Sequence, residues 1–106
     1  MQTVLLAVES DEATSSQLRK DLAALTDEEI VVQKREGLGG MVADFIMVLQ
    51  ATAPIVAAMV PFIIERARQK KVRRVRFGDF EIDNPSDEQV RALWERFLAA
   101  NTERKT

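Results

Sequence analysis

The stretch from Phe45 to Ile64 limits what this chain can fold into more than any other. Its twenty residues carry no charge, and charge returns abruptly behind them: seven of the eleven residues from Arg66 to Arg76 are Lys or Arg. A chain of 106 residues has to bury such a segment in its own core, in a partner or in lipid. Ala, Leu and Met favour a helix that begins near Met41 and ends near Lys71. A straight helix of that length would be about 45 Å long. A domain of this size is only about 34 Å across. The helix is therefore expected to kink or break near Pro54, whose ring clashes with the carbonyl of Gln50. Pro61 lies on nearly the same face, so the two bends should add.

Three fates are open to the segment. As a membrane anchor it has the length to span about 30 Å, with the basic block at the headgroups. Its ten Leu, Ile, Phe and Val residues favour insertion, but Gln50, Thr52, Pro54 and Pro61 oppose it. As a purely internal core helix it is too long for its own domain. The third fate is association. Ala51, Ala53, Ala57 and Ala58 permit close approach, and Val56, Met59, Val60 and Ile63 are expected to form the contact with a second copy or a partner.

The flanking elements follow from pattern. Val4 to Val8 is a short apolar run suited to a central strand. Ser10 or Asp11 caps a helix from about Glu12 to Leu25, with Leu18, Leu22 and Leu25 on one face. Ile30-Val31-Val32 reads as a second strand, parallel to the first across a right-handed crossover. Gly37-Leu38-Gly39-Gly40 then breaks the chain. Val75, Phe77, Phe80 and Ile82 alternate around Gly78-Asp79, a two-residue hairpin turn. That register sets Arg76 opposite Glu81 and Arg74 opposite Asp83. Ser86 and Gln89 form a capping box, after which Val90, Leu93, Trp94, Phe97 and Leu98 line a final helix. The expected fold is one α+β domain over residues 1–100, in the order β-α-β-α-β-β-α, with one mixed four-stranded sheet and a frayed tail over 101–106.

Composition narrows the chemistry. The chain has no cysteine and no histidine, so thiolate chemistry, disulfides and the usual general base are missing. Ser10, Ser15, Ser16 and Ser86 have no histidine to activate them. The acidic residues Asp11, Glu12, Asp27, Glu28 and Glu29 lack the partners of a metal site. The glycine run has neither a Walker lysine nor dinucleotide-binding spacing, so it reads as a plain turn rather than a phosphate cradle. No catalytic, cofactor or metal residue is expected. Net charge is −2, but outside the basic block eight basic residues face seventeen acidic ones. Such polarity suits pairing with itself or with a charged partner. Arg66, Arg68, Lys70, Lys71 and Arg73 form the candidate patch for an anion or an acidic partner. Nucleic acid is not favoured, because no aromatic platform accompanies the patch. The N-terminus lacks the pattern of a signal peptide, and a cytoplasmic location is expected.

The assembled order resembles the effector-associated constant component, a small domain of bacterial NTP-dependent conflict (defence) systems. The residues that carry the resemblance are the first strand, the glycine break before Met41 and Asp44, and the small-residue apolar stretch. The basic run Ile64-Glu65-Arg66-Ala67-Arg68-Gln69-Lys70-Lys71, the Gly78-Asp79 hairpin and the capped last helix complete it. Gln50-Ala51-Thr52-Ala53-Pro54 stands where the family has a glycine-rich middle. The resemblance implies a non-enzymatic adaptor module, self-associating or bound to an effector, with no site residues to carry over. The alternative is a protein anchored in the membrane by residues 45–64.

Overall fold

The computed structural model describes residues 3–36 and 43–103. The glycine break at Gly37 to Gly40 and the start of the segment at Met41 lie outside the described residues. The elements are β1 (Thr3–Ser10), α1 (Glu12–Ala23), β2 (Val31–Glu36), β3 (Ala43–Thr52), α2 (Ala53–Arg68), β4 (Val72–Phe77), β5 (Phe80–Asp83) and α3 (Asp87–Glu103). The strands form one sheet in the order β2-β3-β1-β4-β5, and every neighbouring pair is antiparallel.

The expected fold is corrected at its centre. Phe45 to Ile64 is not one helix. Its first part is β3, and the chain turns into α2 at Ala53. The proline expected to bend a helix instead opens one, in the first turn, where its missing N–H costs nothing. Pro61 lies inside α2. The carbonyl it leaves without a partner belongs to Ala57, which is exposed to water. The sheet therefore has five strands instead of four and is antiparallel instead of mixed. β1 and β2 do run in the same direction, but β3 lies between them. The first six elements thus have the strand order of the ferredoxin-like split β-α-β topology, with β5 and α3 added at one side.

One face of the sheet carries the core. Val4, Leu6 and Val8 of β1 face the same side as Met47, Leu49 and Ala51 of β3 and Val75 and Phe77 of β4, all buried. Leu18 and Leu22 of α1, Val56, Met59, Val60 and Ile63 of α2, and Val90, Leu93, Trp94 and Phe97 of α3 close over them. Trp94 packs against Phe77 at 5.1 Å and stacks on Phe97 at 5.5 Å between ring centroids. Leu98, expected on this face, is exposed at 37%.

Local chemistry sets the ends. Asp11 caps α1 by accepting from the Thr14 N–H at 2.8 Å. Ser86 and Gln89 exchange bonds across the start of α3: the Gln89 N–H donates to Ser86 Oγ, and the Ser86 N–H to Gln89 Oε1. α2 ends with Lys70 at φ 59°. The Lys70 and Lys71 N–H groups return to the carbonyls of Ala67 and Arg66, a left-handed cap of the kind glycine usually makes. The β4–β5 hairpin has the expected register, Phe77 opposite Phe80 and Val75 opposite Ile82. Gly78 alone of its two turn residues has positive φ, at 61°, as a type II′ turn requires. Its N–H donates to the Leu5 carbonyl and ties the tip to β1. α3 continues through Asn101 to Glu103, where a frayed tail was expected.

Candidate interaction surfaces

The four residues expected to make a subunit contact do not face outward. Val56, Met59, Val60 and Ile63 are at most 5% exposed. They are the inner face of α2, and the sheet of the same chain covers them. What α2 turns to solvent is Pro54, Ala57, Ala58, Pro61, Glu65 and Arg68. The inner face of the segment has found cover within its own domain, because its first part is a strand. Among the described residues no helix is long and apolar enough to cross a membrane.

The five residues of the basic patch do not converge either. Arg66 reaches sideways to α1, where its Nη2 lies 2.9 Å from Asp21 Oδ2. Arg68 lies 3.5 Å from Glu65 of its own helix and 3.9 Å from Asp87 of α3. Arg73 sits where β4 bulges opposite the end of β1, with its Nε 2.8 Å from Asp44 Oδ1. That contact is a charge pair without hydrogen-bond alignment, since Asp44 Oδ1 is buried with no hydrogen-bond partner. Lys70 and Lys71 form the turn after α2. The block reads as one patch in sequence, but helix and strand geometry directs it to three sides of the molecule.

The surface that pattern did not disclose is the far side of the sheet. No helix covers it. Leu5 and Ala7 of β1 and Ile46 and Val48 of β3 lie there half-buried, with Val31 of β2 beside them. β4 and β5 add a charged margin. Arg74 Nε lies 2.7 Å from Asp83 Oδ1 and 3.0 Å from Glu81 Oε1. The Asp83 hydrogen bond and charge, then the charges of Glu81 and Glu9, hold the Arg74 guanidinium above its ordinary pKa. Glu9, opposite Arg74 in register, is 8% exposed. Arg76 stands opposite Glu81 as expected, and its Nε donates to the Gly78 carbonyl at 2.7 Å. Ala7, Glu9, Ile46, Arg74, Arg76 and Glu81 enclose a shallow hollow of about 130 Å³. Sequence reading had the hairpin charges but missed this face, because β3 was taken for helix.

Reactive groups are not brought together. Ser15 Oγ is buried in the inner face of α1 without a hydrogen-bond partner, and the chain has no histidine to activate it. Among the described residues no three acidic side chains gather as a metal site would need. The Asp11 carboxyl titrates below its ordinary value, chiefly because Thr14 donates to it and secondarily because Lys71 and Arg73 lie near. It serves as a helix cap. A hollow of about 380 Å³ opens between the end of α2 and the start of α3. Of its polar lining, Arg68, Ser86, Asp87 and Gln89 are engaged in capping and ion pairing, while Lys70 and Asn84 stand at two positive-φ turns.

Set against known protein families, curated proteins and solved structures, the chain matches none.

Proposed function

We propose that this chain is a non-enzymatic adaptor that docks a protein partner on the bare face of its sheet, acting in the cytoplasm within a bacterial conflict system of the kind its element order resembles. The observation that carries this reading is that face itself. An antiparallel sheet with one face in water normally alternates apolar-in with polar-out. Here Leu5, Ala7, Ile46 and Val48 are apolar on the outward side as well. A contiguous apolar surface of that sort marks a contact site.

The charges favour protein over nucleic acid. Arg73, Arg74 and Arg76 stand on this side with the carboxylates Glu9, Asp44, Glu81 and Asp83. The balance leaves no positive field to draw a phosphate backbone. A partner with an apolar centre and a mixed polar rim fits best. The absence of histidine and cysteine from the chain supports the non-catalytic part. The membrane alternative loses its support, since the segment it needed is divided between a central strand and a core-facing helix.

The test is to mix the purified chain with each protein encoded by the genes flanking its own and read complex formation by size-exclusion chromatography with light scattering. One of them should form a defined complex, and Val48→Lys, placed mid-face, should weaken it at least tenfold with the fold retained. A complex indifferent to Val48→Lys and to Ile46→Lys would contradict the reading.

A further inference from the structure

The edge of the sheet formed by β2 differs from every other part of the surface. β2 is outermost, so one side of its backbone has no strand beside it among the described residues. Both its faces are bare as well. Val31 is on the uncovered face, 42% exposed; Val32 is on the helical side, yet 36% exposed. The helical layer stops short of this strand, because α1 packs on β3 and β1. Leu25, on the connection into β2, is 37% exposed. These three are, with Leu98, the exposed large apolar side chains among the described residues. A β-branched edge strand that no described residue shields is a template for another strand.

The charges of the same stretch select the strand that fits. Asp27, Glu28 and Glu29 lead into β2, and Lys34 and Arg35 stand toward its end. A strand that is acidic at one end and basic at the other complements itself only when antiparallel. We propose that β2 pairs with β2 of a second copy across a two-fold axis passing beside Val31, which sets Glu28 opposite Lys34 and joins two five-stranded sheets into one. The acidic lead-in of each copy then faces Lys34 and Arg35 of the other, and Val31 meets its copy at the axis. Residues opposite one another in an antiparallel pair share a face. Both helical layers therefore lie on one side, and the two bare faces join into a single surface on the other. This inference rests on the edge alone and does not require the bare face to bind anything.

The test is sedimentation velocity on the full chain over roughly 1 to 200 µM, for the wild type, Lys34→Glu, Glu28→Lys, and an equal mixture of the two variants. Both positions are exposed, and circular dichroism checks that each variant folds. The wild type should pass from monomer to dimer within the series. Each variant alone should dimerise at least tenfold more weakly, since its own strand now meets like charge. The mixture should recover most of the lost affinity, because each variant supplies the charge the other lacks. Val48→Lys should dimerise as the wild type does, which separates this contact from the partner site on the bare face. A wild type that stays monomeric throughout, a dimer that neither edge variant weakens, a mixture no tighter than its components, or a dimer lost in Val48→Lys would each overturn the proposal.

Discussion

The two edges of the sheet are built to opposite specifications. β5 is four residues long, carries Glu81 and Asp83 outward, and is fastened to β4 by Arg74 between them. Its inward residues are covered by α3, with Phe80 edge-on to Phe97 at 6.2 Å and Arg96 above the Phe80 ring at 5.9 Å. β2 is six residues long and has neither a helix over it nor an ion-paired margin described. Short, charged and covered edges are how monomeric sheets avoid pairing with one another. Among the described residues only the β5 edge has that protection, so the fold is closed at α3 and open at β2.

The largest effect should come from removing the closed side's anchor. Phe77 is fully buried and packs on Trp94. Phe77→Ala should cost about 3–5 kcal/mol, read as a shift in the urea midpoint. A loss under about 1 kcal/mol would mean that α3 does not hold this side. Next is the turn. A Cβ on Gly78 would lie 2.8 Å from Phe97 Cε1, and φ there is 61°. Gly78→Val should therefore cost roughly 2 kcal/mol or more from backbone strain and displaced packing. Full stability in that variant would refute the turn geometry.

Smaller effects are expected toward β2. Asp11→Ala removes the α1 cap and should cost about 1 kcal/mol at neutral pH. Its carboxyl titrates below 3.8 in the fold, so its share of stability is complete above the ordinary carboxylate pKa and declines as pH falls through the lowered folded value. The wild type and Asp11→Ala should differ by a constant amount from about pH 5 to 8 and converge below about pH 4. A gap that widens in acid would have the wrong sign. Least of all, Val32→Lys should change unfolding of the dilute monomer by no more than about 0.5 kcal/mol, because Val32 is exposed.

The closed side was legible in the sequence and the centre was not. Hairpin and capping signals are local: alternation around Gly78-Asp79, and Ser86 with Gln89 three residues on, each specify geometry within a few residues. β3 has no such signal. Met47, Leu49 and Ala51 face the core while Ile46 and Val48 face outward, and all five are apolar, so the two-residue period is invisible. Met, Leu and Ala then point to helix. Only pairing with β1 and β2, distant in the chain, makes the segment a strand. The same misreading hid the bare face and sent Val56, Met59, Val60 and Ile63 to an interface instead of a core. Pro54 did mark a boundary, but between a strand and a helix. The basic block was plain as composition; its dispersal to three sides follows from the turn at Lys70 and the bulge at β4.

An open β2 and a closed β5 differ in how association protects their backbones. Amide hydrogen exchange at two protein concentrations, one below and one above the association range, tests this difference most directly. Amides of Val31 to Lys34 should gain protection with concentration while those of Phe80 to Asp83 exchange at the same rate in both samples. Protection on β5 that rises with concentration, or β2 amides that exchange identically at both, would contradict it.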